Sequence, residues 1–527
     1  MVDMKHLNSL QILVAFVRRL IPKLAALPVL VALIIPVSAA ETNRSKLSIE
    51  DLFAPPKVHL EPVPHIIINP IPAVGGGEAA KIKGLIKNLA KVENPNYGMS
   101  PTISGEAFAP IPAAWRMETV LMTEHKLEQF DDFTQLVKLG PKALPFLLDS
   151  LDDPTPTKLV IRHDSAFGMM WYANELDGNP NNSAEQKVLA PLPLDRFWKN
   201  PGEGVPSYMV KIGDVCFVAI GQIVSRKYES VRYQPTACIV LNSPTHDTNI
   251  AALVRAIWSS RDPGQNLFDS LMLDFATRGN LSERGWGVAS SLQAGAAMRL
   301  LYYYPSETTN MIATRLHRLD IGATNFNYDA TNGVEATELI KAVAWSKEPA
   351  IKAELQRIFR MTTDPDILRV VVNSMDASES NEVQKRFEEF ISNLPETEEG
   401  PFGHGYDLLV SMGEQCGNNA RPTYEHYMKN ASLQRRRSMC RVLDEVHGDW
   451  SVALLGPLLV DKRPAEGWTY AVVAGQNDPR LPIRVCDEAA DTIARNFPQL
   501  KFEMVGQHED LDRQIQKMRE QIAAHDY

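Results

Sequence analysis

The chain has 527 residues, 44% hydrophobic and 22% charged, a soluble, folding composition that excludes a wholly disordered or collagen-like protein. Its formal charge is −10, and an acidic surface repels phosphate backbones, which argues against nucleic acid as a partner. Cysteines 216, 238, 416, 440 and 486 are few and odd in number, so an apolar core rather than a disulfide framework must hold the fold.

Residues 1–40 differ from the rest. Lys5, Arg18, Arg19 and Lys23 precede the apolar run LAALPVLVALIIPV, and VSAAE then supplies the small residues that signal peptidase prefers. This is the pattern of a secretory signal cut near Ala39 or Ala40. With Pro28 and Pro36 inside it, the run falls short of the ~20 apolar residues of a spanning helix. The expectation is an exported protein, periplasmic or extracellular, with no stable membrane span; a retained N-terminal anchor is the alternative. Loss of residues 1–39 removes four basic residues and one acid, which takes the formal charge from −10 to −13. Residues 41–80 contain APPKVHLEPVPHIIINPIPAVGGG. Six prolines and a glycine triplet disfavour helix there, predicting a disordered, polyproline-like linker or a strap laid on the body.

From residue 81 to 505 helical periodicity dominates. Residues 174–206, NELDGNPNNSAEQKVLAPLPLDRFWKNPGEGVP, break every pattern and form a first loop insertion. The stretch VKIGDVCFVAIGQIVSRKY from Val210 steps its apolar residues at three and four, which predicts a helix buried on most sides, capped by Asp214, with Cys216 an inert core residue. Residues 226–247 form a second insertion, in which VRYQPTACIVLNSPT reads as strand or loop. Then come four amphipathic helices: Val334 to Ala344, Ile351 to Phe359, Ile367 to Met375 and Val383 to Leu394, two hairpins of the size of a solenoid unit. Asp-Pro pairs at Asp153, Asp262, Asp364 and Asp478 suit helix starts, since Asp caps the helix and Pro fits its first turn. Residues 506–527 end the chain with Leu511, Ile515, Met518 and Ile522 on one stripe, a capping helix.

The segments LVKLGPKALPFLLDSLDDPTPTKLVIRH, TTDPDILRVVVNSM and NDPRLPIRVCDEAADTIARNF resemble HEAT repeats, with Asp478, Pro479, Arg484, Val485, Ala489, Ala490 and Ile493 closest to the second helix of the repeat. The resemblance implies an all-α fold, an interrupted α-solenoid of HEAT-like helical hairpins with long loop insertions. It implies a non-catalytic scaffold that binds a protein or peptide.

No phosphate loop, nucleophile elbow, zinc helix or paired CxxC occurs, so no catalytic residue, metal ligand or cofactor is expected. The competing class is a metal-dependent phosphohydrolase built on His163-Asp164 with His125. Against it, His163 follows KLVIR, where a polar residue on an amphipathic helix suffices. Trp171, Arg232 and Tyr233 are the expected partner-binding residues, because aromatic and Arg side chains are enriched at binding hot spots and RYQP is polar and proline-bounded.

Overall fold

The computed structural model describes residues 59–93, 107–111, 130–163, 168–179, 181–189, 204–233, 238–278, 292–322, 333–375, 379–393, 404–429, 431–446, 448, 450–472 and 480–525. The proposed signal peptide, Asp164, His125 and Asp478-Pro479 lie outside them. Among the described residues 63% are helix and 9% strand. In order the elements are β1 (His59–Leu60), α1 (Gly76–Asn88), α2 (Asp131–Leu139), α3 (Leu144–Asp149), β2 (Pro156–Arg162), β3 (Met170–Tyr172), α4 (Ser183–Leu189), β4 (Ser207–Lys211), α5 (Ile212–Val224), β5 (Val231–Tyr233) and β6 (Ile239–Leu241). There follow α6 (Thr248–Trp258), α7 (Pro263–Ala276), β7 (Thr277–Arg278), α8 (Leu292–Tyr303), α9 (Pro305–His317), α10 (Gly333–Val343), α11 (Pro349–Met361), α12 (Pro365–Val371) and α13 (Ser380–Ser392). The last are α14 (His404–Cys416), α15 (Arg421–Met428), α16 (Leu433–Glu445), α17 (Ser451–Leu455), β8 (Pro464–Ala471), β9 (Arg480–Arg484), α18 (Val485–Asn496) and α19 (His508–Ala523).

The four periodic segments are helices, and each turns its stripe inward: Ala336, Leu339, Ile340 and Val343 of α10, Ile351, Leu355, Ile358 and Phe359 of α11, Ile367, Leu368 and Val371 of α12, and Val383, Phe387 and Ile391 of α13 are buried. Asp364 caps α12 by accepting from the Asp366 and Ile367 amides, and Asp262 caps α7 by accepting from Gln265, each with Pro in the first turn. Packing runs from each helix to its next but one: α8 on α10, α10 on α12, α12 on α14, α14 on α16 and α16 on α18, with α9 on α11 beside them. Side chains from one hairpin satisfy the last carbonyls of the one before. Arg357 donates to Leu316 O (3.2 Å), Thr362 Oγ1 to Ile321 O (3.0 Å), and Arg386 to Thr362 O (2.7 Å).

The described residues are predominantly helical, but four small sheets among them correct the all-α expectation. KLVIR is not helical; it lies in β2, which pairs antiparallel with β4 and alternates exposed and buried residues. RLPIR is β9, paired with β8, and the matching helix starts only at Val485. Asp153-Pro154 therefore leads into a strand, with the Asp153 carboxylate accepting from Thr155 N–H at 2.9 Å in a turn. The linker expected to be disordered to residue 80 takes a defined course from residue 59, and its glycine triplet opens α1.

One strand-to-helix join occurs twice. In the first copy Asp153 N–H donates to Ser150 O, Gly213 N–H to Asp153 O, and Ile212 N–H to Thr155 O. In the second Asp461 N–H donates to Leu458 O, Cys486 N–H to Asp461 O, and Val485 N–H to Arg463 O. Pro156 sits opposite Lys211 and Pro464 opposite Arg484, each pair followed by a bulge. The buried carboxylates of Asp214 and Asp487, at the third position of α5 and α18, accept from the amides of Lys211 and Arg484, both at 2.9 Å. Asp214 thus stands inside the helix, not before it, and holds the helix start by accepting from the Lys211 amide that precedes it.

The apolar core is one cluster from Ile68 to Met518. Every residue of α5 is buried in it, Cys216 included, and burial raises the Cys216 thiol well above its ordinary pKa. The α19 stripe of Leu511, Ile515 and Met518 closes the other end, packed on α18. Among the described residues no helix is long and apolar enough to cross a membrane.

Candidate interaction surface

The expected partner-binding residues lie on one three-stranded sheet, in which β6 is the middle strand, parallel to β3 and antiparallel to β5. Trp171, Val240 and Arg232 share one register row; Met170, Ile239 and Tyr233 share the next. Because successive residues face opposite sides, Trp171 and Arg232 flank Val240 on one face while Tyr233 points to the other. Ile239 and Leu241 belong to the main core but Val240 does not, although only 1% of it is exposed.

The three residues are not equivalent. Trp171 is half-buried. Arg232 is engaged: its guanidinium forks onto Glu175, with Nε–Oε2 at 2.9 Å and Nη2–Oε1 at 2.5 Å, and Glu229 stands at 3.5 Å. It holds the segment after β3 against β5, so it shapes this face as well as lining it. Tyr233 corrects the expectation of an exposed contact, since it packs against the core and burial raises its phenol pKa. The proline that was to keep it exposed lies outside the described residues.

Beside the sheet, Tyr172 stacks on His246 with centroids 3.6 Å apart and meets Tyr208 edge-on at 5.7 Å. Tyr208 Oη lies 2.5 Å from Asp214 Oδ2 and 2.8 Å from Ser243 Oγ, and Ser243 Oγ lies 2.6 Å from Asp214 Oδ1. Burial pushes the Asp214 pKa up, while bonds from Ser243 and Tyr208 pull it down. Serine, aspartate and histidine are close here, yet Ser243 Oγ accepts from the His246 main-chain amide at 3.2 Å rather than meeting its ring. With Ser243 1% exposed and Asp214 fully buried, the group knots together β4, α5 and the turn before α6. Among the described residues no three His, Cys, Asp or Glu side chains could hold a metal. His163 follows β2 directly, and its amide donates to Pro206 O. No family model, curated protein or solved structure matches this chain.

One functional feature escaped sequence reasoning. Arg226 is fully buried between Glu185 of the first insertion and Asp274 of α7, with closest contacts of 2.5 Å to each. Asn179 adds a bond to Asp274 at 2.8 Å and Asn182 one to Glu185 at 2.9 Å. This network ties the segment leading from β3 onto the helical body, and so fixes where the Trp171 face sits. Its partners are far apart in sequence, and the only signal was a charged residue ending an otherwise apolar helix.

Proposed function

We propose that the protein is an exported, non-catalytic scaffold that binds a protein or peptide partner along an interrupted HEAT-like solenoid. The observation that carries this reading is the regular next-but-one stacking of α8, α10, α12, α14, α16 and α18, in which each hairpin buries its stripe on its neighbours. Arrays built this way offer long surfaces suited to extended partners. Trp171 and Arg232, on either side of Val240, are the contact we assign, because an aromatic and an arginine braced by Glu175 need little further ordering on binding.

A photo-crosslinking residue at position 171 in exporting cells tests it. One recurrent adduct is expected in the envelope fraction, and Arg232→Ala with Glu175→Ala should reduce it strongly. A chain retained in the cytoplasm, or an adduct indifferent to Arg232 and Glu175, would sink the proposal.

A further inference from the structure

Residues 59–75 cross α7 as an extended peptide. At one end His59 and Leu60 pair with Arg278 and Thr277, and Glu61 N–H donates to Ala276 O at 2.9 Å. In the middle the Gln265 side chain binds the strap backbone in both senses, Nε2 donating to Ile66 O and Oε1 accepting from Ile68 N–H, both at 3.0 Å. Its other amide hydrogen goes to Asp269 Oδ1 at 2.8 Å, one turn along α7, which fixes the way round that the amide points. Further on, Ile71 sits over Gly264, where a Cβ would come within 2.6 Å of its Cδ1. Ile67 is 79% exposed and Ile68 5%, and Ile71, three residues on, again meets α7, the three-residue repeat of a polyproline-like chain with one face down. Pro62, Pro64, Pro70 and Pro72 favour the extended form.

Proteins hold peptides from other chains in this manner: main-chain bonds give affinity for any extended segment, and seats for alternate side chains select among them. None of these contacts depends on the strap belonging to the same chain. We propose that the α7 face bearing Gly264, Gln265 and Asp269 is a peptide-binding site for extended, proline-flanked segments with β-branched aliphatic residues at the positions of Ile68 and Ile71, and that residues 61–71 are its resident occupant. The partner that displaces them is a segment of another polypeptide with this chemistry. Tethering gives the resident an effective concentration of roughly millimolar, so only a tighter or abundant competitor takes the seat. The strap sets a threshold on occupancy. This site shares no residue with the Trp171 face and stands whether or not that face binds anything.

The test uses the full chain. Ile68→Asp puts a charge in the buried seat and releases the strap without altering α7. A labelled peptide of residues 61–73 is titrated into wild type, Ile68→Asp and Ile68→Asp/Gln265→Ala, with binding read by fluorescence anisotropy. It should bind Ile68→Asp about tenfold or more tightly than wild type, and the double variant about tenfold less tightly than Ile68→Asp. Equal binding to all three overturns the proposal. Gln265→Ala alone gives a reading independent of the first variant: deuterium exchange at the Ile68 amide should quicken about tenfold, and unchanged exchange overturns the clamp. A wild-type chain of doubled mass in light scattering, whose Ile68→Asp variant ignores the peptide, assigns the face to a second copy and also overturns it.

Discussion

Replacing Arg226 with methionine probes what fixes the first insertion to the body. The guanidinium donates to Glu185 at 3.1 and 2.5 Å, to Asp274 at 2.5 and 3.1 Å, and to the carbonyls of Ser225 at 2.9 Å and Val224 at 3.3 Å. Two carboxylates thus share one cation with no water-exposed side, and the Asp274 pKa rises to about 6, burial raising it more than Arg226 lowers it. Methionine keeps an unbranched chain in the space but leaves both acids buried and unpaired. Breaking a buried pair from one side costs about 3–5 kcal/mol, a large share of the roughly 5–15 kcal/mol that holds a fold together. We expect Arg226→Met to lose about 4 kcal/mol at pH 7 in urea unfolding, and less at pH 5, where Asp274, deprived of its cation, takes up a proton. Adding Glu185→Leu and Asp274→Leu should return most of the loss, because the expense lies in the stranded charges. Deuterium exchange over residues 179–189 should rise in the single variant. A loss under about 1 kcal/mol, or one equal at both pH values, would refute the reasoning, since neither fits a buried pair broken from one side.

The Asp274 pKa also sets a pH dependence. Because it is higher folded than unfolded, the stability it contributes is complete below about pH 4 and is lost as pH rises through about 6. Asp274→Asn should remove that part of the slope in urea midpoints taken from pH 4 to 7, and an unaltered slope would contradict the assignment. A Cβ on Gly213 would stand 2.3 Å from Leu151 O, a main-chain atom, so Gly213→Ala should destabilise by about 3 kcal/mol or more by thermal unfolding. Gly76→Ala, with nothing within 4 Å, should instead gain about 0.5–1 kcal/mol in α1, and the contrast fails if the two behave alike. Cys216 should resist thiol reagents in the native chain at pH 8, and modification within minutes would show that α5 is not sealed.

Legibility in the sequence followed the range of the interactions. The helices α10 to α13 were readable because each declares itself by local spacing, and Ile351, Leu355, Ile358 and Phe359 form a stripe whatever packs against it. The strands were not. In β2 the alternation rests on Leu159 and Ile161 with Val160 between them, three apolar residues in a row that mimic a buried helix. In β9, Pro482 argues against a strand, yet among the described residues β9 pairs with β8 alone, an edge position where proline is tolerated. The partner face was half legible: residue type pointed to Trp171 and Arg232, but which side Tyr233 takes is set by register with β6. The ends of the Gln265 clamp lie far apart in sequence, so local spacing gave only the alternative of a strap.

The repeated join has a practical meaning. Its bonds are main-chain to main-chain, save for one carboxylate, and the residues supplying them differ: Thr155 and Arg463, Gly213 and Cys486, Lys211 and Arg484. What lies between the two sides differs even more, a long stretch of sequence that includes β3 and α4 in one copy and only positions 472–479 in the other. Lengthening a closed loop costs only about 0.6 kcal/mol per doubling. The join therefore acts as a socket indifferent to its cargo, and the short sequence that links β8 to β9 is the place to splice in a foreign domain or epitope without disturbing the helices.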